Sequence, residues 1–257
     1  MFRDHALATA RSGATSAIII VVLTATLLTL IHLESPTAHA KAAAPAATGG
    51  YGSGTLGPWQ ANTKVISSAA HVEHVVRTNG IVLFGDSIAV QDGAALGRLM
   101  AKHLGTSFAE HSWSGQPTSA AVDALAAWDR AYGLPRRIVM AVGTNDIFDP
   151  PAFTAQLDRA MRIAGPDRTV YWVNVQVSRI DVPASMQDAD QRNSEWIDLQ
   201  LQQARSRYPN LRIVPWAEFL AAHPERMRTD LRDGRHTTVP AGQNARNALI
   251  LQTIQHS

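Results

Sequence analysis

Short apolar runs alternate with amphipathic helical segments from residue 80 to the end of the chain. The runs are rich in β-branched and aromatic residues, and the segments between them repeat their apolar residues with the period of a helix. Strands and helices that alternate in this way form βαβ units, so we expect a parallel sheet covered by helices on both faces.

The expected elements follow from these patterns. The predicted strands are residues 81–84, 107–110, 137–142, 169–177 and 211–216. The predicted helices are residues 88–103, 118–131, 151–164 and 191–207, with a last helix from residue 240. Residues 178–190 are predicted as a loop, and a substrate-side loop is one interpretation of them.

The N-terminus has the order of an export segment. Arg3 and Arg11 precede an apolar run over residues 17–31, and Ala38-His39-Ala40 follows it as an A-x-A pattern. This order predicts a signal peptide or an uncleaved N-terminal membrane anchor over residues 1–40. Either interpretation predicts an extracytoplasmic protein, secreted or anchored, that touches the membrane only through this segment.

A change of composition separates this segment from the rest. Residues 41–70 contain many Ala, Gly and Pro residues and few large apolar ones, which predicts a flexible linker. The catalytic domain is then expected over residues 71–257.

Composition argues against several classes of function. The net charge is only +2, and no basic run with interleaved aromatic residues is present, so no nucleic-acid partner is expected. The absence of Cys removes disulfides, thiolate catalysis and Cys-ligated metals. No G-x-G-x-x-G follows the first predicted strand, which disfavours a dinucleotide cofactor. We expect no cofactor, and no particular oligomeric state is indicated.

The first predicted strand ends at Gly85-Asp86-Ser87. In one interpretation Ser87 exposes a reactive hydroxyl at a helix N-terminus, where unsatisfied N–H groups favour developing negative charge. In the other, Ser87 only caps the helix and Asp86 is a turn residue. The two interpretations differ in what the Ser87 hydroxyl contacts.

Other polar segments can complete a serine-nucleophile site. Gly115 and the Asn145-Asp146 pair follow later predicted strands, and Asp233-Gly234-Arg235-His236 supplies an acid and an imidazole in one loop. A serine nucleophile requires such a base, an acid to orient it and donors for the oxyanion. Asp230 is a rival acid in the same region.

Four blocks together carry a family resemblance. Gly85-Asp86-Ser87, Gly115, Gly143-x-Asn145-Asp146 and Asp233-x-x-His236, in this order, resemble the SGNH/GDSL hydrolase superfamily. The resemblance covers the chain from about residue 80 to the last helix. It implies a flavodoxin-like three-layer α/β/α sandwich with a mainly parallel sheet, and ester chemistry without a cofactor.

The resemblance also implies roles for individual residues. Ser87 would be the nucleophile, His236 the general base and Asp233 the acid that orients the imidazole. The backbone N–H groups of Ser87 and Gly115 and the side-chain amide of Asn145 would form the oxyanion hole. Asp86 and Asp146 are expected to be structural.

The region around residues 170–179 is similar to exported peptidoglycan O-acetyltransferase domains. We therefore expect an exported serine esterase acting on small-molecule, lipid or glycan acyl esters, with a cell-envelope O-acyltransferase as the alternative. A catalytically silent envelope-binding module is a second alternative. Metal-dependent hydrolysis is a further alternative, but no ligand spacing supports it; its residues would be Asp86, Asp146, Asp233 and His236. Asn174 and Arg179 are interpreted as strand-end hydrogen-bonding residues.

Overall fold

The computed structural model describes residues 50–257. The predicted export segment and residues 41–49 of the predicted linker lie outside these residues. Within residues 50–257, no helix combines the length and the apolar character needed to cross a membrane.

Six strands form the sheet in the described part of the chain, in the order β1-β3-β2-β4-β5-β6. Strands β2 to β6 are parallel, and only the edge strand β1 runs antiparallel to its neighbour β3. Their bounds are β1 Lys64–Ile66, β2 Ile81–Gly85, β3 Phe108–Trp113, β4 Arg137–Ala141, β5 Thr169–Val173 and β6 Leu211–Val214.

Helices cover both faces of this sheet. Their bounds are α1 Ala69–Arg77, α2 Ser87–Leu104, α3 Thr118–Tyr132, α4 Pro150–Ala164, α5 Ala184–Ala204, α6 Trp216–Ala222, α7 Arg226–Asp230 and α8 Ala241–Gln255, with a 3₁₀ helix at Thr144–Phe148. Residues of α1, α3, α4 and α5 share one apolar core with the sheet, and residues of α2, α6 and α8 share the other. The predicted three-layer α/β/α sandwich is confirmed.

Helix α4 shows how the sequence pattern determines such a layer. It begins at two prolines, where the missing N–H groups would have no helical partner, and ends at Gly165, whose N–H donates to the Met161 carbonyl at 3.0 Å. The apolar positions that predicted its inner face are all buried, namely Phe153, Leu157, Ala160, Met161 and Ala164.

The predicted loop over residues 178–190 is wrong in its second half, because α5 begins at Ala184. Asp190 is fully buried and its carboxylate accepts from Arg179 Nε at 2.6 Å. This ion pair allows the polar first turns of α5 to pack against the rest of the domain. The periodicity of apolar residues in the sequence does not indicate such a pair. None of residues 178–190 lines the pocket beside Ser87, and the contact of this segment with the site is through the backbone, since the Ser178 N–H donates to the Gly234 carbonyl at 2.9 Å and the Ile180 N–H to the Asp233 carbonyl at 3.2 Å.

The predicted strand over residues 169–177 is too long at its C-terminal end. Asn174 ends β5, since its side chain accepts from the Ala217 N–H at 2.9 Å and donates to Glu218. These contacts hold the strand end to α6. That helix begins at Trp216, a residue that was predicted to belong to the last strand. Asn174 therefore has the strand-end role that was predicted.

Residues 50–66 fall in the predicted flexible linker but lie against the folded body. Ser53 is 1% exposed, its Oγ accepts from Asn193 Nδ2 at 2.8 Å, and its carbonyl accepts from Arg179 Nη2 at 2.6 Å. Farther along, β1 pairs with β3. For this part of the chain the linker prediction is wrong, because polar contacts rather than apolar burial hold the segment.

The sheet order also determines where a ligand can bind. The five parallel strands run β3-β2-β4-β5-β6, so the chain leaves β2 toward one edge and leaves β4 toward the other. In doubly wound sheets, ligands bind outside the carboxyl ends of the two strands where the order reverses. Here Gly85 and Ala141 pair at that point, and Ser87 and Asn145 come shortly after them in the chain.

Candidate active site

Ser87 is the first residue of α2, and Asp86 is the residue that caps the helix. The Asp86 Oδ1 accepts from the Ile88 N–H at 3.0 Å. The Ser87 hydroxyl instead lies 2.8 Å from His236 Nε2. The geometry therefore agrees with the nucleophile interpretation and not with the capping one.

His236 lies in the loop between α7 and α8, and Asp233 fixes its orientation. The His236 Nδ1 lies 2.7 Å from Asp233 Oδ2, while Asp233 Oδ1 accepts from the backbone N–H of His236 at 2.7 Å and of Arg235 at 3.1 Å. A carboxylate acceptor at Nδ1 places the proton there and leaves Nε2 free to accept from Ser87. The rival acid, Asp230, pairs with Arg226 Nε at 2.8 Å.

Asp233 is in the charged form that this orientation requires. Partial burial raises the pKa of its carboxyl, but hydrogen bonds from the backbone and imidazole of His236, together with the imidazole's positive charge when protonated, outweigh that effect. The net result is a pKa below the usual range for aspartate. The charged form of Asp233 is therefore favoured, as its contact with His236 Nδ1 requires.

A buried acid on α2 holds the histidine loop in position. Asp92 is 1% exposed and accepts from Thr237 Oγ1 at 2.9 Å, while Gln91 Nε2 donates to the Thr237 carbonyl at 3.0 Å. Thr237 follows His236 directly, so these bonds tie the base to the helix that begins with Ser87. No local sequence pattern indicates this contact, because Asp92 and Thr237 are 145 positions apart.

Gly115 and Asn145 lie on the same pocket as Ser87. The Asn145 Nδ2 donates one hydrogen to the Gln116 carbonyl at 3.0 Å, which fixes the amide and leaves its second hydrogen for another acceptor. Gln116 in turn donates from Nε2 to the Gly85 carbonyl at the end of β2. Gln116 thus connects two of the predicted oxyanion groups to the nucleophile strand, a role that no sequence pattern indicated.

Asp146 has the structural role that was predicted for it. Its Oδ2 accepts from the Thr118 N–H at 3.0 Å and from Thr118 Oγ1 at 2.8 Å, and so joins the loop after β4 to the start of α3. Burial raises the pKa of Asp146 to about 7. Burial also raises the pKa of Asp86, the cap of α2.

The acids considered for a metal site have separate hydrogen-bond partners: Asp86 caps α2, Asp146 binds Thr118 and Asp233 binds His236. Within residues 50–257, no three His, Asp or Glu side chains converge as a metal-binding cluster. The metal-dependent alternative therefore has no ligand set in the part of the chain that the structure describes.

A pocket of about 540 Å³ brings the site together. Its lining residues are Leu56, Gly57, Pro58, Trp59, Asn62, Thr63, Ser87, Val90, Gln91, Ser114, Gly115, Asn145, Phe148, Arg232, Arg235 and His236. One wall comes from residues 56–63, which the sequence assigned to the linker. Asn62 Nδ2 donates to the Ser114 carbonyl at 3.2 Å, and the Trp59 and Trp113 rings meet edge to face at 5.1 Å.

Comparison with known proteins agrees with this geometry at the level of the fold. The sequence matches no protein-family model and no curated protein. Among solved structures, the catalytic domain of peptidoglycan O-acetyltransferase A from Streptococcus pneumoniae superposes with a TM-score of 0.53 at 18% identity, over 69% of this chain and 90% of that one.

Two further structures are similar to the same extent. A GDSL-like lipase from Bacteroides thetaiotaomicron superposes with a TM-score of 0.57 at 17% identity, over 70% of this chain and 89% of that one. A lipase/acylhydrolase from Enterococcus faecalis superposes with a TM-score of 0.55 at 18% identity, over 69% of this chain and 95% of that one. This chain therefore has the α/β/α fold of the SGNH/GDSL hydrolases.

Proposed function

We propose that this protein is a serine esterase of the SGNH/GDSL type that cleaves acyl esters through an acyl-enzyme on Ser87. The observation that carries the proposal is the continuous contact from Ser87 Oγ to His236 Nε2 and from His236 Nδ1 to Asp233, at 2.8 and 2.7 Å. Both contacts are within the range expected of a nucleophile, its base and an orienting acid.

In the proposed mechanism each step is carried out by a particular atom. His236 Nε2 takes the proton of Ser87 Oγ as that oxygen attacks the ester carbonyl, and the carbonyl oxygen becomes an oxyanion. The N–H groups of Ser87 and Gly115 and the Asn145 amide stabilise it. His236 then gives its proton to the leaving alcohol, and the acyl-enzyme forms. Water next attacks the acyl-enzyme carbonyl while His236 takes its proton. Ser87 Oγ leaves and receives that proton as the acid is released.

The test compares the full-length protein with Ser87→Ala, using p-nitrophenyl acetate and short acyl sugar esters. We expect turnover that survives a chelator and disappears in Ser87→Ala, while the exposed Ser206→Ala control keeps the original rate. Activity that persists in Ser87→Ala and is lost on chelation would show metal-dependent hydrolysis. A folded protein without turnover or acylation of Ser87 would leave the binding-module alternative.

An O-acyltransferase is the second candidate, and the likeness to the peptidoglycan O-acetyltransferase domain supports it. Esterase and transferase share the acyl-enzyme and differ in whether water or a sugar hydroxyl accepts the acyl group. The partition of a preformed acyl-enzyme between water and a glycan oligomer separates them. Release of free acid supports the esterase, and dominant transfer to the glycan supports the alternative.

We also propose that the enzyme works outside the cytoplasm, because arginines, an apolar run and an A-x-A pattern occur in that order at the N-terminus. N-terminal sequencing of the protein from fractionated cells tests this. A soluble exported chain that begins at Lys41 supports a cleaved signal peptide, and an intact chain in the membrane fraction supports an anchor. An intact chain in the cytoplasmic fraction contradicts both.

A further inference from the structure

Two arginines lie beside the catalytic base on the pocket that contains Ser87. Arg232 and Arg235 come from the same loop as His236, and both line the pocket. None of the other described residues that line it is an acid. The carboxylate nearest in sequence, Asp233, is bonded to the imidazole nitrogen that faces away from Ser87. The pocket is therefore positively charged on the side of the base.

Arg232 is only weakly engaged within the described part of the chain. Its side chain is 55% exposed, and its Nε lies 3.9 Å from Asp233 Oδ2, an oxygen that already accepts from His236 at 2.7 Å. The structural ion pairs of this protein are much closer, at 2.6 Å for Arg179 with Asp190 and 2.8 Å for Arg226 with Asp230. The charge of Arg232 is thus available to a bound anion.

Arg235 is the more enclosed of the two. Its Nε lies 3.4 Å from His236 Nδ1, but that nitrogen carries the proton donated to Asp233 and cannot accept a second one. The terminal guanidinium nitrogens of Arg235 form no hydrogen bond with the described residues, and Arg235 lines the pocket. A guanidinium in such a place forms paired hydrogen bonds with carboxylate or phosphate oxygens.

The mechanism determines which part of the substrate meets these charges. His236 Nε2 protonates the leaving oxygen, so the alcohol part of the ester lies on the histidine side of the pocket. The carbonyl oxygen lies on the opposite side, toward Gly115 and Asn145. Because the arginines belong to the histidine loop, they face the alcohol part and not the acyl group.

We propose that the alcohol part of the substrate carries an anionic group, a carboxylate or a phosphate, that Arg232 and Arg235 bind. The inference rests on the proposed esterase or transferase activity and specifies its substrate class. A favourable charge pair at about 4 Å in a solvent-exposed site changes affinity by about 5-fold. Loss of each arginine should therefore lower kcat/KM for the anionic ester by roughly that factor.

The experiment compares two acetyl esters, O-acetylated methyl glucoside and O-acetylated methyl glucuronoside. They differ only at C6, which is a CH₂OH group in the glucoside and a carboxylate in the glucuronoside. The full-length protein should prefer the glucuronoside, and the preference should shrink at high salt. R232Q and R235Q should each reduce the ratio of the two kcat/KM values by about 5-fold, and the double variant should abolish the preference. The ratio cancels any effect of Arg235 on the imidazole itself.

Arg228 provides the matched control, because it is an exposed arginine on the neighbouring helix α7 and does not line the pocket. R228Q should keep the wild-type ratio. Equal kcat/KM values for the two esters, or a preference that persists in the double arginine variant, would overturn the inference.

Binding to Ser87→Ala, measured by calorimetric titration with the same two esters, separates this inference from the proposed function. Tighter binding of the glucuronoside, lost in R232Q/R235Q, supports the anionic subsite even if the wild-type protein turns over neither ester, in which case only the proposed activity fails. Equal affinities would overturn the subsite whatever the turnover.

Discussion

Substitution of Gly115 by alanine tests the oxyanion hole at its most sterically constrained point. Gly115 has φ of +82°, in the left-handed region that residues with a Cβ disfavour. A Cβ added there would lie 2.8 Å from the Trp59 Cβ and 3.2 Å from Asn62 Nδ2. Trp59 and Asn62 belong to the pocket wall and are held by contacts with Trp113 and Ser114, so the strain falls on the glycine loop.

Gly115→Ala has two effects, backbone strain and a close contact with Trp59. The left-handed conformation alone costs about 1–2 kcal/mol for a residue with a side chain. The close approach to Trp59 must be relieved by a shift, and we expect the Gly115 backbone to move, together with the N–H that faces the developing oxyanion. Loss of one such donor typically lowers kcat by about 10²–10³-fold, which corresponds to about 2.7–4 kcal/mol.

Gly105→Ala is the matched control for this variant. Gly105 has φ of +59° at the end of α2, and an added Cβ would meet nothing within 4 Å. Gly105→Ala should lose roughly 1–2 kcal/mol in the free energy of unfolding, measured by denaturant titration, and Gly115→Ala should lose at least as much because of its added contact with Trp59. Only Gly115→Ala should also lose at least about 10²-fold in kcat with p-nitrophenyl acetate. A Gly115→Ala enzyme within a few-fold of wild-type kcat would refute the oxyanion role of this residue.

Three further substitutions test other parts of the account. Asn145→Ala should lower kcat/KM by about 10²–10³-fold while the protein stays folded, and a loss below about tenfold would contradict a donor role. Asp233→Asn should lower kcat by about 10³–10⁴-fold, because the amide NH₂ would take the place of Oδ2, donate to His236 Nδ1 and hold the imidazole in the wrong tautomer. An unchanged pH–rate profile and rate would exclude Asp233 as the orienting acid. Glu110→Gln tests a buried acid outside the site, since burial raises the pKa of Glu110 to about 7. The folded state then binds a proton more tightly than the unfolded chain, so stability falls as pH rises from about 4.5 to 7. The glutamine variant lacks this loss and, after a discount for partial exposure of the carboxylate, should be more stable than wild type by about 1–2 kcal/mol near pH 8 and similar near pH 4. Thermal denaturation at the two pH values measures this, and a constant difference would contradict the shifted pKa.

Sequence pattern and motif resemblance predicted much of the fold and the grouping of Ser87, Asp233 and His236. The α4 apolar stripe is encoded within fifteen residues, and its predicted inner face is buried throughout. Ser87, Gly115 and Asn145 follow strand ends, and carboxyl ends of parallel strands meet at one edge of a sheet, so strand order predicts that they lie close together. His236 lies instead in the loop between α7 and α8, 149 positions from Ser87, and the motif resemblance placed it beside Ser87.

The elements that sequence reasoning missed depend on polar contacts between distant segments. Ser53 and Asn193 are 140 positions apart, and their hydrogen bond holds a segment of low hydrophobicity that resembles a linker in composition. The start of α5 depends in the same way on the buried Arg179–Asp190 pair. No periodicity of apolar residues encodes such contacts, so the N-terminal pocket wall with Trp59 could not be predicted.

Covalent labelling shows whether Ser87 is the nucleophile. The full-length protein is treated with methanesulfonyl fluoride, whose sulfur is attacked by the serine oxygen with loss of fluoride and the hydroxyl proton, and the adduct is located by peptide mass spectrometry. We predict a single adduct on Ser87 that is absent in Ser87→Ala and forms much more slowly in His236→Ala. An active enzyme whose Ser87 stays unlabelled while another residue carries the adduct would contradict the nucleophile assignment.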